Sequence, residues 1–277
     1  MKKVLICSII RNQAQNLNIW FSQLKNLVEN ISNEYECYLS VFENDSTDNT
    51  QDFLKQADFS FLMGTIIDNA ILNTQQYESI WSVDRIKNLA FYRQSCIDSG
   101  FRKWSQIYFD KICFIEPDIK YDSSWLKELI LAKHPESLGI NPDVYSGWSL
   151  RSYKNPKESM YLYDTCAVRQ SENDIYWNFD NEDKWKNSSL LKTYITHEDS
   201  SCLHSVYSTF NCFCVYNSEP FYKGIRWGYT NDRINPSNIK VDDNLYLESD
   251  TVNIIENFRK HGYYKILLNR NCIVRHL

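Results

Sequence analysis

The chain lacks several things that would settle its class at once. No stretch of 18 apolar residues occurs, and the N-terminal apolar run, Val4–Ile10 of "MKKVLICSIIRNQ", is too short to cross a bilayer. No small-residue cleavage site follows that run, so it is read as a first strand and not as a leader. Basic residues form no long stripe, and the net charge is −5, so the electrostatic footprint of a nucleic-acid binder is missing. Glycine and proline are scarce, at 7 and 6 of 277 residues, and they gather in no linker-like tract. No internal repeat or low-complexity segment is present. The nine cysteines include no CxxC pair. Cys212 and Cys214, the nearest two, read as core side chains on one face of a strand. Cysteines that are odd in number and scattered, without a leader, predict a reducing, cytoplasmic setting.

What remains is a chain long enough to bury a sizeable core, with 43% hydrophobic and 23% charged residues. The 19 Tyr, 14 Phe and 8 Trp serve a core first and sugar-stacking surfaces second. Strands are predicted at Lys3–Ile10, Tyr38–Phe42, Phe59–Ile66 and Ile107–Ile115, with helices between them. Leu17, Trp20, Leu24, Leu27 and Ile31 recur at spacings of three and four, one face of a helix. Ser46 or Thr47 is predicted to cap a helix running to about Ala57. A third helix carries Val83, Ile86, Leu89, Ala90 and Ile97 on one side and is expected to end at Gly100. A fourth follows in "DSSWLKELILAK".

This alternation predicts an α/β fold with a mixed, mostly parallel central sheet flanked by helices. The second half is less regular. Strands are expected at Met160–Arg169, His204–Tyr216 and Lys265–Leu268, a helix at Asp250–His261, and long polar loops elsewhere. One domain over residues 1–277 is expected, residues 1–135 forming a nucleotide-binding half and residues 136–277 an acceptor half.

In open α/β sheets ligands bind beyond the carboxyl ends of the strands. Two acidic clusters fall there: Glu43, Asp45 and Asp48 in "VFENDSTDNT", and Glu116, Asp118 and Asp122 in "ICFIEPDIKYDSSW". Carboxylates one residue apart at a strand end suit a hard divalent ion such as Mg²⁺ or Mn²⁺. Each cluster alone also reads as a solvated turn. Likewise Arg93 alone reads as a helix-surface ion pair, Asp164 as a strand-end turn, and Glu248 and Asp250 as acids favoured at a helix N-terminus. His197 and His204 read as structural.

Taken together, "ENDSTDNT", Arg93 in "NLAFYRQSC", the triplet "EPD" and His276 in "NCIVRHL" resemble the GT-A fold of nucleotide-sugar-dependent glycosyltransferases. "YLYDTCAVR", "VYSTFNCFCVYNSEPFY" and the closing "ESDTVNIIENFRKHGYYKILLNRNCIVRH" resemble, in order, segments of the fungal capsule-type α-1,3-mannosyltransferase family. The sequence departs from that pattern where Thr209-Phe210-Asn211-Cys212 replaces a Cys-Trp-Asn-Gly segment, and where Gln170 follows Arg169 in place of an acid.

The resemblance implies roles. Glu43, Asp45 and Arg93 would grip the nucleotide, and Glu116, Asp118 and His276 the metal. Arg93 could instead pair with an acid of that metal site. Asp164 would lie near the donor sugar and, with Glu248 and Asp250, supply the catalytic acids, while Arg169 and Asn211 would bind donor or acceptor. Glu248 or Asp250 would face the acceptor hydroxyl. The implied partners are a nucleotide-sugar donor, with GDP-mannose the expected one, and a carbohydrate acceptor. The rivals are a sugar-phosphate nucleotidyltransferase, disfavoured because "CSIIRNQAQN" has no glycine for a phosphate loop, and a degenerate carbohydrate-binding protein.

Overall fold

The structure is a computed structural model, and it describes residues 1–74, 83–151, 161–162, 167–172, 202–228, 239–240, 246–247 and 249–277. Four parallel strands open the chain: β1 (Lys2–Ile10), β2 (Tyr35–Asn44), β3 (Gly64–Ala70) and β4 (Lys111–Ile115). They lie in the order β3-β2-β1-β4 within a ten-stranded sheet. Such an order requires crossovers, which α1 (Leu17–Ile31), α2 (Thr50–Gln56) and α3 (Val83–Lys103) supply. The second half completes the sheet beside β4. β9 (Phe213–Asn217) runs antiparallel to β4, β6 (Val144–Arg151) antiparallel to β9, and β12 (Ile266–His276) parallel to β6. The short β5 (Ile119–Tyr121) and β8 (Leu203–Ser205) pair antiparallel with β12, and β7 (Tyr161–Leu162) with β6. β10 (Ile239–Lys240) and β11 (Tyr246–Leu247) make a separate ladder.

Central strands buried on both faces need apolar cover on each side. One face is covered by α1 and α4 (Ser123–Leu131), with the helix stripe Leu17, Trp20, Leu24, Leu27 and Ile31 buried as expected. The other is covered by α3 and α7 (Asp250–Lys260), whose Ile254, Ile255 and Phe258 are fully buried. Two short helices, α5 (Lys133–Ser137) and α6 (Glu219–Tyr222), cap loops.

Several boundaries differ from expectation for identifiable reasons. β3 begins at Gly64, not Phe59, because Phe59 and Phe61 turn edge-on to Phe21 in an aromatic cluster. β4 begins at Lys111, since Phe109 N–H is taken by Tyr222 Oη. The segment expected as one strand over 204–216 breaks into β8 and β9 at a turn where Asn211 and Cys212 have φ of +54° and +62°. α3 passes through Gly100 to Lys103. A Cβ on Gly100 would lie 2.7 Å from Leu5 Cδ2, so this glycine lets the helix approach β1 and does not end it. β12 runs on to His276, eight residues beyond its expected end at Leu268.

Only 161–162 and 167–169 of the strand expected at Met160–Arg169 belong to the described residues, and there Arg169 forms an isolated bridge to Ser208. His197, like much of the polar loop sequence, lies outside the described residues.

β12 carries His276 to the site, and its path depends on β6. At Gly147 a Cβ would sit 2.3 Å from the Cys272 carbonyl oxygen, within the register shift between Leu268 and Ile273. Backbone cannot yield as a side-chain tip can. Gly147→Ala is expected to lower unfolding free energy by at least the ~1–3 kcal/mol of core overpacking, measured by urea denaturation. An unchanged midpoint would mean that the two strands are not this close.

Candidate active site

The carboxyl ends of β1, β2 and β4 lie along one edge of the sheet, and each leaves polar side chains there. At the end of β2 the chain turns sharply, with Asp45 at φ +50°, a conformation aspartate tolerates better than most residues. Its carboxylate straps down the segment after β3. It accepts N–H bonds from Leu72, Asn73 and Thr74 (2.9, 3.1 and 3.0 Å) and the Thr74 hydroxyl (2.6 Å). Burial pushes its pKa up, but the Thr74 and Leu72 hydrogen bonds outweigh this and hold it well below the usual carboxylate range. From β1, Arg11 reaches the same Thr74, donating to its Oγ1 (3.1 Å) and carbonyl (2.8 Å).

Glu43 is fully buried and braces this turn by accepting Ser46 N–H at 3.0 Å. Its Oε2 is buried and has no hydrogen-bond partner among the described residues.

The helix start differs from expectation. Neither Ser46 nor Thr47 caps α2, which begins at Thr50 with Asn49 in the capping position. Ser46 Oγ instead accepts Asn12 N–H (2.9 Å), and Thr47 N–H donates to Asn12 Oδ1 (2.8 Å), joining the ends of β1 and β2. Asp48 serves the first turn, accepting Thr50 N–H at 3.0 Å and Ala14 N–H at 3.0 Å. The left-handed turn at Asp45 delays the helix by several residues. Asp122, from the second acidic cluster, is the N-cap of α4.

At the end of β4 the acids divide into two pairs. Glu116 Oε1 accepts Arg93 Nη2 at 2.8 Å, while Arg93 Nη1 donates to Asp250 Oδ2. Arg93 is 5% exposed, with its Cζ 4.6 Å from the Phe210 ring centroid and 5.2 Å from that of Trp227. Burial opposes its charge, but Asp250 and Glu116 more than restore it, so its pKa is raised. Burial also pushes the Glu116 carboxyl up; Arg93 pulls it back and nearby Asp118 pushes it up again, leaving a raised pKa.

Asp118 belongs to the second pair: its Oδ2 lies 2.9 Å from His276 Nε2, and Leu277 N–H donates to the Asp118 carbonyl at 2.8 Å. The β5–β12 ladder fixes this pair, with His276 opposite Ile119. The three residues expected to hold a metal are thus split, and among the described residues no group of three or more His, Cys, Asp or Glu is gathered closely enough to hold an ion.

Beside the Arg93 cluster, Asn211 is buried and donates to Thr209 Oγ1 at 2.9 Å. The adjacent Cys212 keeps a left-handed φ without glycine, and its carbonyl accepts Glu116 N–H at 2.9 Å. Arg169 is 2% exposed, and its backbone pairs with Ser208. Asp164 and Glu248 lie outside the described residues. Sequence reasoning passed over Arg11, Asn12, Thr74 and Trp227. Arg11 and Asn12 directly follow a predicted strand, which was signal enough; Thr74 and Trp227 had none.

A family model described as Cryptococcal mannosyltransferase 1 matches residues 3–250. The chain belongs to this family. No curated protein matches it by sequence. Among solved structures it is similar to S. aureus TarS (12% identity, TM-score 0.51, covering 100% of this chain and 36% of that one). A shorter form, TarS 1–349 in complex with UDP, matches at 12% identity and TM-score 0.52 over 99% of this chain and 60% of that one. A mannosyltransferase from Pyrobaculum calidifontis in complex with GDP-Man and Mn²⁺ matches at 10% identity and TM-score 0.50, over 99% and 56%. The chain therefore spans between about a third and three fifths of the solved chains it matches. The fold is that of the GT-A glycosyltransferases. Among the described residues no helix is long and apolar enough to cross a membrane.

Removing the Arg93 guanidinium would leave two carboxylates facing each other without their cation. Arg93→Met is expected to cost about 3–5 kcal/mol of stability, the price of an orphaned buried charge, read from denaturant unfolding. A loss under about 1 kcal/mol would mean that the pairs are as weak as surface ones.

Proposed function

We propose that the chain transfers a mannose from GDP-mannose to a hydroxyl of a carbohydrate acceptor, with Mn²⁺ or Mg²⁺ required. The observation that carries this is the Asp118–His276 pair at the end of β4, in a chain of a mannosyltransferase family. A carboxylate oxygen and an imidazole nitrogen 2.9 Å apart suit adjacent ligands of one ion, which at metal–ligand distances of about 2.1 Å lie roughly 3 Å from each other. Oxygen and imidazole donors are acceptable to Mn²⁺. With only these two side chains, the diphosphate oxygens and water would fill the remaining positions. A bound ion would neutralise the charge that develops on the leaving diphosphate. The Mn²⁺ and GDP-Man complex of the similar mannosyltransferase from Pyrobaculum calidifontis supports the choice of donor and ion.

The protein's own groups would act mainly by positioning. Arg93 and Asp250 hold Glu116 against the sheet edge, so that its carboxylate stands beside Asp118 in a fixed place. Asp45 and Arg11 hold the segment at 72–74 as one wall of the nucleotide cleft. Asp164, Glu248 and Asp250 remain the candidates for orienting the acceptor or stabilising positive charge on the sugar.

The test is GDP release from GDP-mannose followed by mass spectrometry with Mn²⁺, with EDTA, and with UDP-GlcNAc as the competing donor. Mn²⁺-dependent release from GDP-mannose is expected, falling at least 100-fold, about 2.7 kcal/mol of barrier, in Asp118→Asn. Metal-independent turnover, or a variant keeping more than about a tenth of the rate (under about 1.4 kcal/mol), would overturn the assignment.

A further inference from the structure

β12 is paired along one side by β6 and along the other by two short strands, β5 at Val274–His276 and β8 at Leu267–Asn269. Neither short strand reaches Asn271–Ile273, and a cleft of about 420 Å³ opens there. That volume falls in the range of small-molecule sites, roughly 300–1,000 Å³. Lys120, Tyr121, Trp125, Asn271, Ile273 and Arg275 line it.

Three features of this lining bear on what it takes. First, Trp125 is 59% exposed. An indole open to solvent in a cleft offers a flat apolar face of the kind that a sugar ring's C–H face can cover, with polar side chains close by. Second, Lys120 and Arg275 are both exposed and stand directly opposite each other in the β5–β12 ladder. Like charges so placed repel. Neither side chain has an ion pair or hydrogen bond among the described residues. A bound anion would relieve that repulsion. Third, the acid at the cleft, Asp122, gives its Oδ1 to Ser124 N–H (2.9 Å) and Oγ (2.6 Å) as the cap of α4. Asp122 remains a carboxylate there, so the lining carries two cations and one anion, a net positive charge in a chain of net charge −5.

The place of the cleft gives it a purpose. Lys120 lies two residues after Asp118, while Arg275, next to His276 on β12, points to the opposite face of the strand from it. Two residues of strand span about 7 Å, so a saccharide reaching from Trp125 to Lys120 would end within a sugar unit or two of Asp118.

We infer that this cleft is an anchoring subsite for the acceptor, and that it takes an anionic saccharide, one bearing a carboxylate or a phosphate. The inference rests on the transferase reading for its purpose, though not for the binding itself. Trp125 supplies the stacking face, Lys120 and Arg275 the charge, and Asn271 a further polar contact.

The test is calorimetric binding to the full chain without donor, using trigalacturonate, mannose 6-phosphate and neutral mannotriose as probes. At least one anionic probe is expected to bind tenfold or more tighter than mannotriose. Tighter binding of mannose 6-phosphate would assign a phosphorylated glycan, and of trigalacturonate a uronate. Lys120→Gln with Arg275→Gln should erase the preference, and Trp125→Ala should weaken all binding. Melting temperature and the thermal shift given by GDP-mannose with Mn²⁺ should be kept in both variants. Failure of every saccharide to bind, equal binding of charged and neutral probes, or a preference that survives the double substitution would overturn the inference. Saccharide binding by a protein that takes no nucleotide sugar would instead leave this subsite standing and remove the transferase reading.

Discussion

A guanidinium buried against two aromatic rings is the constraint around which the site is arranged. Arg93 comes from α3, Phe210 and Trp227 from the segments flanking β9 and α6, Glu116 from the end of β4, and Asp250 from the first turn of α7. Desolvating one cation and two carboxylates is costly, and the cost is recovered only while all three remain together. Moving any of these elements outward therefore strands a charge. The same contacts tie the first, parallel half of the sheet to the last helix, 157 residues later in the chain.

A second constraint operates at the end of β2 and is built from hydrogen bonds to one carboxylate. Asp45 gathers three consecutive N–H groups after β3, and Arg11 closes on the same Thr74 from β1. Glu43 and Asp48 use their oxygens on neighbouring N–H groups in the same way. The acidic run that ends β2 is therefore largely a device for turning the chain. In the proposed function its exposed neighbours form the surface that the nucleotide would meet. Beside Glu116 stands the Asp118–His276 pair, whose spacing is set by strand pairing and not by the acids themselves.

The first half of this fold was legible because each strand and helix carries its own period: the α1 stripe and the strands β1 and β2 follow directly from apolar spacing. The meeting of Glu116, Arg93 and Asp250 was legible only as a set of candidates, through resemblance, since no local pattern joins residues so far apart. Position in the chain did not foretell the split of the three expected metal ligands, because Glu116 and Asp118 are two residues apart yet face different partners. The failures have local causes. Gly100 looked like a helix end but is a contact with Leu5; Ser46 looked like a cap but bonds to Asn12 across the sheet edge. In each case a tertiary contact used a residue whose local preference pointed elsewhere.

The most direct test of this account is a double-mutant cycle between Arg93 and Asp250, measured by urea unfolding. If the guanidinium and the carboxylate are paired in a buried site, Arg93→Met and Asp250→Asn will each destabilise strongly. The double variant will then lose far less than their sum, with a coupling of at least about 1.5 kcal/mol. Additive losses, with coupling within about 0.5 kcal/mol of zero, would show that the two do not depend on each other and would contradict it.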